Sequence, residues 1–207
     1  MTPQPQLWLF FLLVFGVILL PGLDMAFVLA SALVGGRRAG MMATAGIVAG
    51  GVCHVLMTAL GVMALLKVMP ALFNAMLWAG AAYIAWIGIS LMRSRVGLGE
   101  VSEIPSRSQA QTFRQGMLTS LLNPKAYLFM LAIFPQFLAP DAGSLPRQLL
   151  VLWLIIAATQ AAIYGALAFV GDGVRHWLAD RPSANLVLAR VVGIVLIATA
   201  VYTVTRG

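Results

Sequence analysis

The chain has 207 residues, of which 61% are hydrophobic and only 9% are charged. Soluble globular domains carry about 25% charged residues, so the composition excludes an ordinary soluble domain and a disordered chain. The net charge of +7 comes from 13 basic and 6 acidic residues. They are scattered between apolar runs and not gathered on a polar face, which excludes a nucleic-acid-binding module. The single cysteine, Cys53, excludes an intrachain disulfide, a CxxC redox centre and a thiolate zinc cluster.

Six continuously apolar runs are long enough to cross a bilayer, which takes about 20 residues as a helix. They do not alternate apolar and polar residues as barrel strands do, so they predict an all-α integral membrane protein. The runs are roughly Leu7–Leu33, Met41–Leu66, Pro70–Met92, Gln115–Leu138, Gln148–Val170 and Leu186–Val204. Because little is left over, residues 1–207 are expected to form a single transmembrane domain surrounded by lipid.

The first run could also be a signal peptide, since Ala30-Ser31-Ala32 resembles a cleavage site. However, the segment Met1–Gln6 has no lysine or arginine, and the run is long for the apolar core of a signal peptide. These features favour a first span that the protein keeps.

The first run contains Pro21 and Gly22, within the sequence LLPGLDM. Proline removes a helical N–H donor, and its ring clashes with the preceding turn; glycine adds backbone freedom. The sequence therefore predicts that the first span is broken here. Asp24 follows the proline by three positions.

In the second run, Gly46, Gly50 and His54 are four positions apart and so fall on one helix face. The two glycines form a GxxxG motif, which permits close helix packing, either within one chain or between the chains of a homodimer. Histidine titrates near neutral pH. His54 is therefore a candidate for proton transfer or substrate contact, with a hydrogen-bonding filler as the alternative.

The longest polar stretch, Arg93–Arg114, separates three runs from three runs. Halves with an odd number of spans have opposite orientations in the membrane, which predicts an inverted repeat. Repeat one covers about residues 1–92, a cytoplasmic linker about 93–114, and repeat two about 115–207.

The fourth run opens the second half and is also interrupted, within LLNPKAY. Asparagine is a favoured N-cap and proline a favoured first helical residue, so Asn123 and Pro124 predict a half-helix that starts inside the membrane. Paired interruptions at corresponding positions indicate the binding site of a transporter. Ordinary proline kinks, satisfied by neighbouring helices, are the alternative.

Asp24 and Lys125 are the two carboxylate or ammonium groups well inside the runs. A charge at the centre of a span costs about 3 kcal/mol, so such groups are functional by default. The half-helix start with Lys125 suits a carboxylate, whereas carbonyls freed at Pro21 and the Asp24 side chain suit an ammonium or a proton. The pair predicts a zwitterionic amino acid as substrate. A structural ion pair between the halves is the alternative.

Gln160 is the central polar residue of the fifth run. Amide side chains in membranes bind ligands or join helices, and both roles are open for Gln160.

The basic residues are distributed unevenly between the two sides. Nine lie in the first, third and fifth loops: Arg37, Arg38, Arg93, Arg95, Arg107, Arg114, Arg175, Arg181 and Arg190. Three lie at the termini and in the other loops: Lys67, Arg147 and Arg206. The positive-inside rule then places the nine in the cytoplasm and both termini outside.

The sequence shows no catalytic or cofactor motif: GxSxG, HExxH and a phosphate loop are all missing. We therefore expect neither an enzyme nor a protein driven directly by ATP, and uphill transport would need an ion gradient. A divalent-cation transporter is a weaker alternative, because hard cations need several oxygen ligands and the spans hold one carboxylate. A non-transporting membrane subunit is a further alternative, but it would not need two charged breaks.

In order along the whole chain, PGLDM, GGRRAG, GIVAGGVCH, WAGAAYIAWIGI, LLNPKAYLF and FPQF resemble motifs of the LysE/RhtB family of bacterial amino-acid exporters. Leu23 departs from the family pattern, where proline is common. The resemblance implies an inner-membrane exporter that exchanges an amino acid for protons, with both termini periplasmic by the charge count. It also implies that Asp24, Asn123, Pro124 and Lys125 form the central site. Since no spare acidic residue lies in a span, we expect a neutral amino acid.

Overall fold

The computed structural model describes residues 3–20, 22–61, 70–93, 108–138, 144–179 and 182–206. All regular structure within these ranges is helical, which confirms the predicted all-α class. The helices are α1 (Pro3–Leu19), α2 (Leu23–Ala59), α3 (Pro70–Arg93), α4 (Gln109–Leu121), α5 (Pro124–Ala132), α6 (Leu145–Ala179) and α7 (Pro182–Arg206), with a 3₁₀ turn at Phe134–Phe137.

Two helices of the described ranges, Leu23–Ala59 and Leu145–Trp177, are each long and apolar enough to cross a membrane. A third span results if Gln109–Leu121 and Pro124–Phe137 are taken together, since they meet at a bend of 51°. Large apolar side chains such as Trp8 and Phe169 are more than half exposed on the outer surface. Such an apolar exterior suits a protein surrounded by lipid. Six spans and an inverted repeat stay predictions.

The expectation of a loop between the first and second runs was wrong. α2 continues through this segment, and only Gly36 leaves the helical conformation, with φ 71° and ψ −174°. Glycine adopts positive φ without strain, so the chain changes direction at one residue. A Cβ atom at Gly36 would lie 2.9 Å from Oδ1 of Asp172 and 3.0 Å from Nη1 of Arg175, so α6 packs directly onto the kink.

Several helices extend beyond the apolar runs. α4 begins at Gln109, six positions before the predicted start at Gln115, and the Ser108 hydroxyl caps it by accepting a hydrogen bond from the Gln111 N–H. α6 continues past Val170 to Ala179, so Arg175 lies on a helix and not in a loop. The apolar runs stop where polar residues begin, but polar side chains do not end a helix. Hydropathy therefore underestimated the length of these helices.

Close packing of α2 against α4 confirms the predicted role of the GxxxG face and shows that it is used within the chain. A Cβ atom at Gly46 would overlap the Phe113 carbonyl, and one at Gly50 would lie 2.7 Å from Cβ of Ser120. From the other side, a Cβ atom at Gly116 would lie 2.5 Å from the Ala43 carbonyl oxygen. The face therefore supplies no argument for a homodimer.

The helices form two packed groups. α2 contacts both α4 and α6, and α1 lies against α6, whereas α3 packs mainly on α7. The α3–α7 contact is also tight, because a Cβ atom at Gly88 would lie 2.7 Å from the Gly193 carbonyl oxygen. The two breaks, between α1 and α2 and between α4 and α5, belong to the first group.

Candidate functional site

The second break is built as the sequence predicts. Asn123 is the N-cap of α5: its Oδ1 accepts a hydrogen bond from the Lys125 N–H at 3.0 Å, and Pro124 is the first helical residue. Asparagine caps well because its side-chain oxygen satisfies an N–H group that the first turn leaves unpaired. The Asn123 side chain is 1% exposed, so this helix start lies in the protein interior.

The proline also leaves a carbonyl to be satisfied. In a continuous helix the Ser120 carbonyl would accept from residue 124, but proline has no N–H. Here it accepts from the Asn123 N–H at 3.1 Å, and Nε2 of His54 lies 3.0 Å from it. Because a carbonyl can only accept, Nε2 is the ring nitrogen that carries the hydrogen. His54, from the first half of the chain, thus completes the break in the second half.

The first break has the corresponding arrangement. The helical donor for the Val17 carbonyl would be residue 21, which is a proline in the sequence. Nζ of Lys125 donates to the Val17 carbonyl at 3.1 Å and to the Leu20 carbonyl at 2.8 Å. Lys125, from the second half, thus completes the break in the first. Pro21 itself lies outside the described residues.

Gly22 has a different purpose from the one predicted. It is the N-cap of α2 with φ −169°, an extended conformation that any residue adopts, so backbone freedom does not require glycine. A Cβ atom there would instead lie 3.0 Å from Nζ and 3.3 Å from Cε of Lys125. A side chain at this position would therefore require the end of the Lys125 side chain to move by a few tenths of an ångström.

A small, partly open cavity of about 60 Å³ lies between the two breaks. Its polar lining is Asp24, His54, Ser120, Asn123, Lys125, Gln160 and Tyr164. Its apolar lining includes Val14, Val17, Ile18, Phe129, Met130 and Ile156. The cavity therefore joins a polar region to an apolar wall.

Four buried polar atoms of the cavity residues have no hydrogen-bond partner of good geometry among the described residues, although the side chains of Asp24 and Asn123 face each other closely enough to interact. They are Oδ1 of Asp24, Nδ1 of His54, Nδ2 of Asn123 and Oε1 of Gln160. Buried polar atoms are nearly always paired, so such a cluster points to a ligand or to water as the partner. It offers both acceptors and a donor, as binding of a zwitterion requires.

Asp24 and Lys125 attract each other through space but form no direct ion pair in the described part of the chain. The Asp24 side chain is 3% exposed and faces Asn123, while Lys125 directs its ammonium to the first break. The halves are therefore joined by lysine-to-carbonyl hydrogen bonds and not by the ion pair considered above.

The structure thus gathers Asp24, His54, Asn123, Lys125 and Gln160 around one cavity. Of the other predicted residues, Gly22 contacts Lys125 and Pro124 is buried at the start of α5.

Sequence reasoning missed two cavity residues, Ser120 and Tyr164. Signals for both exist, since Tyr164 is one helical turn after Gln160, and Ser120 is four positions before Pro124, where a carbonyl must lose its donor. No group of three or more His, Cys, Asp or Glu side chains that could hold a metal occurs in the ranges described.

Comparison with known proteins agrees with this picture of a membrane protein. Residues 14–207 match the sequence model of a family described as LysE type translocator. The chain is 35% identical over 182 residues to an uncharacterized membrane protein of Pseudomonas aeruginosa, covering 84% of this chain and 83% of the relative. It is 27% identical over 188 residues to the leucine efflux protein of Klebsiella pneumoniae, covering 89% and 87%.

It is also 27% identical over 143 residues to the homoserine/homoserine lactone efflux protein of Salmonella typhimurium, covering 69% of each chain. No solved structure matches the chain.

Proposed function

The chain belongs to the LysE type translocator family, and from this membership and the cavity between the breaks we propose that it exports a neutral amino acid or a close derivative. The matched family and the named relatives are transporters and not enzymes. The observation that carries the proposal is the cluster of four unpaired buried atoms in one cavity.

The chemistry of these atoms fits an amino-acid backbone. Oδ1 of Asp24 would accept from the substrate ammonium, and Nδ2 of Asn123 would donate to its carboxylate. Oε1 of Gln160 is a second acceptor for the ammonium.

The apolar wall, which includes Phe129 and Ile156, would receive an uncharged side chain. Leucine, homoserine and homoserine lactone, the compounds in the relatives' names, all carry a primary amine and no charged side chain.

Proton exchange follows from the cost of charge in the membrane. A carboxylate without a partner is expensive there, whereas a protonated carboxyl or a carboxylate paired with an ammonium is not. Asp24 would therefore release its proton when the substrate ammonium binds and take one up when the substrate leaves. This alternation couples the export of one amino acid to the entry of protons.

For the architecture we propose six spans in two inverted three-span repeats, in the inner membrane of a bacterium and with periplasmic termini. Support comes from the breaks, since each half opens with a helix that is interrupted and each interruption is completed by the other half. In such transporters the site lies at the repeat interface, and one repeat rocks against the other to alternate access.

The test is transport by proteoliposomes that contain the purified protein. They are loaded with a mixture of labelled amino acids, a pH gradient is imposed, and the compounds that leave are identified. We expect one or a few neutral amino acids to leave in the presence of the gradient. Asp24→Asn should abolish this loss, because the amide cannot exchange a proton for an ammonium.

Glu103→Gln is the matched control, since it removes a carboxylate from the polar linker and should leave transport unchanged. Retention of all amino acids by correctly inserted wild-type protein would overturn the proposal. So would gradient-driven loss that Asp24→Asn leaves intact.

A further inference from the structure

The first break holds an ammonium group that belongs to the protein itself. Nζ of Lys125 lies 3.1 Å from the Val17 carbonyl oxygen and 2.8 Å from that of Leu20. The Val17 carbonyl has no helical donor because residue 21 is a proline. A pair of free backbone carbonyls beside a carboxylate is the environment that a substrate ammonium would prefer.

The chain makes room for this ammonium. Gly22 leaves open the space that a Cβ atom would fill at 3.0 Å from Nζ. The stem of Lys125 lies along the cavity, where Asp24 is the nearby opposite charge and its Oδ1 has no partner among the described residues. The lysine therefore has two alternative sites for its charge within one cavity: the carbonyl pair that it occupies, and the carboxylate that it does not reach.

We propose that Lys125 is a tethered competitor for the ammonium of the substrate. In the substrate-free transporter its Nζ occupies the carbonyl pair of Val17 and Leu20. An arriving primary amine takes over these carbonyls beside Asp24, and Lys125 turns towards Asp24, whose carboxylate then accepts from both ammonium groups. The inference rests on the proposed function and adds a rule for specificity: a substrate must bring its own primary ammonium to displace the lysine.

The exchange of one ammonium for another keeps the backbone carbonyls of the first break hydrogen-bonded throughout. One cation leaves the carbonyl pair as another arrives, so the break is never left without a donor and the cavity never holds an unpaired carbonyl in a dry environment. If Lys125 had only a structural role, its Nζ would make the same hydrogen bonds but would keep them when substrate binds. Release on substrate binding is thus the property to measure.

Lysine chemistry can measure it cleanly, because Lys67 and Lys125 are the two lysines of the chain. In a Lys67→Arg background, the rate of reductive methylation of Lys125 is followed by mass spectrometry of its peptide. Leucine and homoserine are the probes, with the methylating reagents in large excess because the amines of the probes react as well. N-acetylleucine, which has no ammonium, is the matched control. We expect a probe that is transported to raise the rate about tenfold or more, since two charge-assisted hydrogen bonds are released, and N-acetylleucine to leave it unchanged.

If a probe is transported but leaves the methylation rate of Lys125 unchanged, the proposal is overturned and Lys125 has a purely structural role. Acceleration by N-acetylleucine as well would also overturn it, because displacement would not need an ammonium. If neither leucine nor homoserine nor any other amino acid is transported, the proposed function fails, and the carbonyl site is then decided by the next measurement.

That measurement uses Lys125→Ala, which removes the tethered ammonium and leaves the carbonyl pair in place. n-Butylammonium, a simple analogue of the lysine side chain, should raise the melting temperature of this variant and leave the wild-type protein unaffected. The absence of such a difference would show that the carbonyl pair is not an ammonium site. If Lys125→Ala is poorly folded, recovery of folded protein by n-butylammonium is the same readout.

Discussion

Asn123 has two functions at the second break, and each uses a different atom of its amide. Oδ1 accepts from the Lys125 N–H and caps α5, while Nδ2 is buried in the cavity region without a partner in the described structure. His54 also uses its two ring nitrogens differently: Nε2 donates to the Ser120 carbonyl, and Nδ1 has no partner in the described structure. Single side chains thus hold the broken helices in place and also keep a polar atom available for the proposed substrate.

Two variants of Asn123 separate these functions. Asn123→Ser keeps an oxygen for the cap but removes the amide donor. We expect its melting temperature to stay close to that of wild type while export falls about tenfold or more, since a hydrogen bond to a charged group is lost. Asn123→Ala should also lose about 1 kcal/mol of stability, because the cap is removed. Export by Asn123→Ser at the wild-type rate would exclude the amide from the site.

For His54 the matched pair is His54→Gln and His54→Leu. Glutamine carries a donor at nearly the position of Nε2 and should preserve the bond to the Ser120 carbonyl. Leucine cannot donate, and we expect it to cost about 1 kcal/mol, the usual net contribution of one hydrogen bond. Thermal unfolding in detergent measures both. Equal stability of the two variants would show that the bond does not support the break.

At the scale of helices, backbone contact between α2 and α4 places His54 beside the second break. Gly46 faces the backbone of α4 and Gly116 the backbone of α2, while Gly50 faces the small side chain of Ser120. This contact brings His54 within reach of the Ser120 carbonyl, one turn further along. The packing of α2 on α4 therefore also determines the position of His54 in the candidate site.

Gly46→Ala should disturb both together. Its Cβ atom would overlap the Phe113 carbonyl, and moving the helices apart to relieve the overlap costs about 1–3 kcal/mol. We expect a lower melting temperature and weaker substrate binding. Gly173→Ala is the control on α6, because nothing lies within 4 Å of a Cβ atom there. A melting temperature for Gly46→Ala as high as that of the control would contradict close packing.

The elements that the sequence predicted well are those set by local chemistry. The half-helix at Pro124 and the small-residue face of α2 follow from proline, asparagine and glycine at particular positions, and both are confirmed. The kink at Gly36 was missed, because a loop and a one-residue change of direction leave the same interruption in hydropathy. The bond from Lys125 to the Leu20 carbonyl spans 105 positions and depends on tertiary packing, which residue patterns do not encode.

For the whole molecule, the uneven distribution of basic residues predicts one orientation in the membrane. Nine arginines fall in the first, third and fifth predicted loops, against three basic residues on the other side. The bias counts most close to the ends of spans, and Arg37 and Arg38 directly follow the kink at Gly36, between the first two apolar runs.

Orientation can be measured with single cysteines, because Cys53 is the one cysteine to be removed. In a Cys53→Ala background, Gly207→Cys should react with a membrane-impermeant maleimide in intact spheroplasts. Ser108→Cys, at the start of α4, should react only after the membrane is permeabilised. The reverse pattern would place the termini in the cytoplasm and contradict the charge argument.

The bonds that cross between the halves also bear on how the protein is made. A ribosome adds about 5–20 residues per second, so about 5 to 20 seconds separate synthesis of Leu20 from synthesis of Lys125, which lies 105 positions later. Throughout that interval the first break has no lysine to satisfy its carbonyls, and hydrocarbon offers no substitute. The first half must therefore wait, hydrated or in contact with the insertion machinery, until the second half arrives. A chain cut short before Lys125 lacks the group that closes its first break.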